Sequence, residues 1–211
     1  KCLVELHGKA LLNWQLEALR AAGIKKIGIV TGYKRELLAG WDLVEFHNPR
    51  WDETQMVSSL ACASEWLEQG PCIVSYSDIF YDSSAVRMLI ECSADIAVAY
   101  DPNWLELWVD RFGDPLLDAE TFRVNSDGML IEIGNKPKTL EEVEGQYMGL
   151  LRFTSSGWKQ VECLQKNLHA EKKDQIHMTS ALQMILDEGR IPIAAKAISS
   201  SWGEVDTIED L

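Results

Sequence analysis

Cys72-Ile73-Val74-Ser75-Tyr76-Ser77-Asp78-Ile79 decides how the rest of this chain is read. Residues 72–76 form a short, mostly apolar run, which reads as a buried strand. Asp78 follows just past its end. In layered α/β folds ligands bind outside the carboxyl ends of the strands, so this is where such a fold presents a functional side chain. Downstream, Ser83 or Ser84 opens a helix running through Ile90, and Asp95 to Tyr100 is the next strand. Upstream, Thr54 is the expected cap of a helix from Met56 to Leu67. Leu43 to Phe46 reads as a strand before it, and Lys26 to Thr31 as another ending at Gly32. Before these, Leu12, Leu16 and Leu19 repeat at helical spacing, and Gly23 stands where a helix stops. This alternation predicts an α/β fold with a largely parallel sheet.

The rhythm changes between residues 101 and 153. Thr121 to Val124 and Met129 to Ile133 flank Asn125-Ser126-Asp127-Gly128, a hairpin signal, and Gln146 to Phe153 reads as a further strand. The segment is expected to be a β-rich insertion, either a flap over a pocket or a structural elaboration. Helices resume over Ser156–Lys166 and Thr179–Leu186, and Ile191 to Ile198 is a last core strand. Trp202-Gly203-Glu204-Val205-Asp206 and a capped turn at Thr207 follow. No internal repeat or long linker divides the chain, so 1–211 reads as one domain.

With 211 residues and 23.8 kDa, one substantial core is possible. A net charge of −13 argues against nucleic acid, whose partners carry basic surfaces. It leaves room for a small anionic ligand, which needs only a few local cations and backbone N–H groups. The five cysteines are scattered and never spaced C-x-x-C, which fits reduced thiols in a cytoplasmic protein. No apolar run is long enough to span a bilayer. Surplus aromatics leave monomer and homodimer both open.

On a strand, residues two apart face the same side, so Glu204 and Asp206 can point into one site. Magnesium takes one or two protein carboxylates together with phosphate oxygens and water. Asp78 with Asp206 is an economical set for that, with Glu204 as a third ligand or a supporting neighbour. The bland alternative makes Asp78 and Asp206 cap or turn residues. His7, His47, His169 and His177 lie in unrelated contexts and read as surface or packing residues. A reaction needing no general base fits better, and attack of one phosphate on another is such a reaction. Eight tryptophans are many for this length. Trp104, Trp108 and Trp202 with Tyr147 would make an aromatic wall suited to a quaternary ammonium, or else they pack the core. Arg111, Asp118 and Glu120 lie in a stretch too polar for a core strand and would contact an acceptor or form an exposed loop.

Several segments together resemble the nucleotidyltransferases that make sugar nucleotides. They are Lys1-Cys2-Leu3-Val4-Glu5-Leu6-His7-Gly8-Lys9, the Leu12–Gly23 helix, and Ile27-Gly28-Ile29-Val30-Thr31-Gly32-Tyr33. Ser75–Ile79, Asp114–Glu120, Gly145–Leu150, His177–Ser180 and Trp202–Asp206 are similar to the phosphocholine cytidylyltransferase-like branch. The resemblance implies a three-layer Rossmann-like sandwich (a GT-A-like nucleotidyltransferase fold) with a mixed, mainly parallel sheet. It also implies CTP, Mg2+ and transfer of CMP to phosphocholine or a related phosphate or phosphonate. Lys1 matches the lysine that reaches the triphosphate, Asp78 and Asp206 match the metal-binding acids, and Gln55 and Ser59 lie at the helix start near the base. Relatives often carry Asn at the position of Gln55. The family's first strand and glycine-rich loop are expected before residue 1. Two rivals share the pattern. A metal-dependent glycosyltransferase would typically show Asp-x-Asp where this chain has Asp78-Ile79-Phe80, and a non-catalytic domain would bind nucleotide without turnover.

Overall fold

The structure, a computed structural model, describes residues 1–207 and residue 210. A small hairpin, β1 (Glu5–Leu6) and β2 (Lys9–Ala10), leads into α1 (Leu11–Ala21). The predicted leucine stripe is buried on α1. Gly23, at φ +92°, ends the helix in a Schellman motif: the Gly23 N–H bonds to the Arg20 carbonyl and that of Ile24 to the Leu19 carbonyl. Next come β3 (Gly28–Thr31) and β4 (Val44–His47), paired in parallel.

The helix expected over Met56–Leu67 is two helices, α2 (Met56–Ala61) and α3 (Ser64–Gln69), and Gln55 rather than Thr54 is the cap residue of the first. The Thr54 hydroxyl is turned back to the Arg50 carbonyl instead. After these lie β5 (Cys72–Ser75), β6 (Ile79–Tyr81), α4 (Ser83–Ile90) and β7 (Ile96–Asp101).

The segment 101–153 departs from its sequence reading. It opens with a helix, α5 (Trp104–Phe112), because Trp104 and Trp108, one turn apart, are both buried. The predicted hairpin follows as β8 (Phe122–Val124) and β9 (Leu130–Ile133), with the Asn125 side chain accepting from the N–H groups of Asp127 and Met129. The segment's last strand, β10 (Gln146–Phe153), is not a flap but an interior strand of the main sheet. The chain closes through α6 (Ser155–Asn167), α7 (Ala170–Gln175), α8 (Met178–Asp187), β11 (Ile193–Ala197) and β12 (Trp202–Glu204).

The main sheet has the order β11-β7-β10-β5. β11 is parallel to β7, while β10 is antiparallel to both β7 and β5, so three of the four strands run one way. Along β7, Ile96 and Val98 face α3, α6 and α8, whereas Ala97 and Ala99 face α1, α4 and α5. This alternation makes three layers with two apolar cores. The sheet is wrapped on both faces, so its strands read as nearly continuous apolar runs. β10 carries Gly149 at φ +73°, where a Cβ would lie 2.7 Å from the Tyr76 ring. The chain therefore needs glycine there to bring β10 against the turn after β5. Between β3 and β5 lies a mainly apolar cavity of about 690 Å³.

Asp82, rather than either serine, caps α4: its carboxylate accepts from the Ser84 N–H at 2.8 Å. Asp82→Ala is expected to lower stability by about 1 kcal/mol at neutral pH, with Asp82→Asn close to wild type. The hydrogen bonds from Ser84 hold the Asp82 carboxyl below its ordinary range. The cap's contribution is thus full above the unfolded-state value of ~3.9 and fades as pH falls below it. Thermal melts of wild type and Asp82→Ala should converge in acid. A difference that persists there would contradict the cap.

Candidate active site

The β6–β12 ladder brings the two ends of the chain together. Its register pairs Trp202 with Tyr81, Gly203 with Phe80 and Glu204 with Ile79, and one step further the Val205 N–H bonds to the Asp78 carbonyl at 2.8 Å. Asp78 and Asp206 therefore lie side by side at the end of an antiparallel ribbon. The turn that carries Asp78 is held from beneath by buried Gln15, whose side-chain amide donates to the carbonyls of Tyr76 (2.8 Å) and Ile79 (2.6 Å). A buried amide nitrogen with two carbonyl partners fixes backbone well, because breaking the pair would strand polar groups.

The two carboxylates converge on one cationic group. The Lys1 ammonium lies 3.2 Å from Asp78 Oδ2 and 2.5 Å from Asp206 Oδ1. Partial burial works against the Lys1 charge, but its hydrogen bonds to Asp206 and Asp78 outweigh that and raise its pKa. Asp206 is likewise held below the usual carboxylate range: burial opposes this, and Lys1 and its other hydrogen-bond partners overcome it.

Arg111, at the end of α5, closes the other side. Its guanidinium donates to Glu204 Oε1 at 2.6 Å, Asp210 Oδ1 at 2.9 Å and Asp206 Oδ2 at 3.3 Å. Burial pushes the Glu204 carboxyl up to about 7 even with Arg111 beside it. Arg111 thus contacts three acids of the centre, and it engages Glu204 through Oε1. Among the described residues, no three His, Cys, Asp or Glu side chains form a ready cation cage.

Beside this centre is a polar pocket of about 220 Å³, whose lining includes Asp118, Glu120, Gln146, Tyr147, His177 and Glu204. Glu204 belongs to both the pocket and the acidic centre. The Tyr147 ring meets Tyr76 edge-on at 5.9 Å, and its buried hydroxyl has no partner among the described residues. The Asp118 carboxylate accepts from the Trp108 indole.

The tryptophans expected to wall the pocket are in the core instead. Trp104, Trp108 and Trp202 are buried, and their indole N–H groups are taken up by the Val143 carbonyl, Asp118 and Asp101. None of the three lines the pocket. Gln55 and Ser59 sit half-buried at the start of α2, and the Ser59 hydroxyl accepts from Asn48. Met56, between them, reaches the pocket. His177 and Thr179, at the start of α8, both line the pocket, although their residue types alone point to no role there. The sequence signal for them is the resemblance carried by His177–Ser180, together with the start of a helix after a polar turn.

The profile of a family described as "MobA-like NTP transferase domain" matches residues 1–127. The chain is 34% identical to a CTP:phosphoglutamine cytidylyltransferase of Campylobacter jejuni subsp. jejuni, over all of this chain and 89% of that protein. Among solved structures, the inositol-1-phosphate CTP transferase from T. maritima superposes with a TM-score of 0.78 at 17% identity, over 100% of this chain and 82% of that one. A Bacillus anthracis protein described as a glucose-1-phosphate thymidylyltransferase gives 0.76 at 14% identity, with the same coverage. These two structural matches establish the shared α/β fold.

Proposed function

The chain belongs to the MobA-like NTP transferase family, and from that premise we propose that it transfers CMP from CTP to a small phosphorylated acceptor. The observation that carries this reading is the convergence of Asp78 and Asp206 on one cationic centre beside a carboxylate-rich pocket. The cytidylyltransferase relative supports it. An oxygen of the acceptor phosphate attacks the α-phosphorus in line, the bond to the β-phosphate breaks, and pyrophosphate leaves. The attacking oxygen is already ionised, so no side chain has to remove a proton.

The residues fit a magnesium ion: two hard carboxylate donors already gather a positive charge, and phosphates complete such a set. When bound there by Asp78 and Asp206, the ion supplies charge neutralisation between the two phosphates. Lys1, whose ammonium bridges the same acids, is assigned the role of stabilising the leaving pyrophosphate. Gln55 and Ser59 are assigned to the nucleotide side of the site.

The acceptor is proposed to be a phosphorylated amine or amino acid. Asp118, Glu120 and Glu204 offer carboxylates to an ammonium that can donate hydrogen bonds. The relative's name, which specifies phosphoglutamine, points the same way. Phosphocholine fits less well, because the tryptophans that would enclose a quaternary ammonium are committed to the core. No described helix is long and apolar enough to cross a membrane, and five free thiols support a reducing, cytoplasmic setting.

Pyrophosphate release across CTP, UTP, phosphoethanolamine, phosphoglutamine and phosphocholine tests this. CTP with a primary-amine acceptor should exceed CTP with phosphocholine by roughly tenfold in kcat/KM, because unpaired carboxylates reject a methylated head group. No pyrophosphate from any pair in magnesium would overturn the reading.

A further inference from the structure

Arg111 makes more contacts with the acidic centre than any bystander needs. It leaves the last turn of α5, a helix fixed by buried Trp104 and Trp108, and its side chain is only 11% exposed. Its guanidinium lies over the rings of Trp108 and Phe112, at 5.1 and 4.9 Å from their centroids. From there, besides its contact with Glu204, it takes hold of Asp206 and Asp210. It donates directly to Asp206 Oδ2, while Asp206 Oδ1 faces Lys1. It also holds Asp210 through Nε at 2.9 Å and Nη2 at 3.3 Å. Asp210 in turn accepts from the backbone N–H groups of Asp206 and Thr207, both at 2.9 Å. A planar guanidinium can make this forked contact, whereas an ammonium is a single point charge.

We propose that Arg111 is a positioning residue that tethers Asp206 to the core, so that one carboxylate oxygen stays presented to the cation centre opposite Asp78. It also offsets the repulsion of Glu204, Asp206 and Asp210, three carboxylates gathered on one short segment. This rests on the proposed reaction and deepens it: Arg111 acts through Asp206 and not by touching the acceptor.

The test compares wild type, Arg111→Lys and Asp210→Asn by two readouts. One is calorimetric titration with Mn2+, and the other is pyrophosphate release with CTP and phosphoethanolamine or phosphoglutamine. Losing a group that orients a metal-binding side chain typically costs 10–100-fold in metal affinity or activity. Arg111→Lys should therefore weaken Mn2+ binding at least tenfold and lower kcat by a similar factor, with acceptor KM within about twofold of wild type. Asp210→Asn keeps the arginine but loses half the tether, and should shift both readouts in the same direction by less. Should Arg111→Lys fail to fold, Asp210→Asn alone decides. Unchanged Mn2+ affinity, or a rise in acceptor KM at constant kcat, would overturn the tether. Absence of turnover in wild type would refute the reaction, while the Mn2+ comparison would still judge Arg111.

Discussion

Asp78→Asn and Asp206→Asn should each reduce pyrophosphate release by about a thousandfold, or about 4 kcal/mol of transition-state stabilisation. Neither change should melt the protein. The side chains of Lys1, Asp78 and Asp206 are 47%, 22% and 41% exposed. Ion pairs of that kind contribute only about 0–1 kcal/mol to folding. Asparagine is the same size as aspartate, so the ribbon of β6 and β12 is undisturbed. What is lost is one anionic oxygen donor at a centre where two phosphates must be brought together against their own repulsion. The contrast between a large rate loss and a small change in Tm separates this reading from the alternative that the acids are cap or turn residues. Normal rates in either variant, with a lowered Tm, would favour the turn reading.

Trp108→Ala has the largest expected effect on stability. Its ring is fully buried, stacks on Trp202 at 6.3 Å, and meets Trp104 edge-on at 6.2 Å. Removing so large a buried aromatic typically costs about 3–5 kcal/mol, a large part of the 5–15 kcal/mol that holds an average domain together. It also removes the donor to Asp118 and the ring beneath Arg111. Thermal or urea unfolding should show the loss directly, and at low temperature the surviving folded protein should lose kcat without selective loss of any one acceptor. An unchanged Tm together with a KM raised only for phosphocholine would restore the aromatic-wall reading.

The parts of this fold legible in sequence are those specified by near neighbours. Leu12, Leu16, Leu19 and Gly23 encode α1 and its stop within a dozen residues, and Asn125 to Gly128 encode a turn whose hydrogen bonds are local. Asp78 could be located because a short apolar strand ends just before it. The break between α2 and α3 was not legible, since Cys62 and Ala63 carry no proline or glycine signal. Helix α5 was missed because its stripe is two tryptophans, and a tryptophan reads equally as core or ligand wall until a partner for its N–H is known. For Trp104 and Trp108 those partners are the Val143 carbonyl and Asp118, both outside the helix itself. The interior place of β10 depends on long-range pairing with β5 and β7, which no local pattern records. The same holds for Arg111: its charge was visible, but its partners at 204, 206 and 210 are brought to it by the β6–β12 ladder.

The most direct measurement is a Mn2+ titration of wild type, Asp78→Asn, Asp206→Asn and the double variant, read by calorimetry in the presence of CTP. Two acids serving one centre are energetically coupled. Each single substitution should therefore weaken Mn2+ binding strongly, and the double substitution should weaken it by clearly less than the product of the two. Strictly multiplicative losses, or wild-type affinity in either single variant, would show that the two carboxylates do not share an ion.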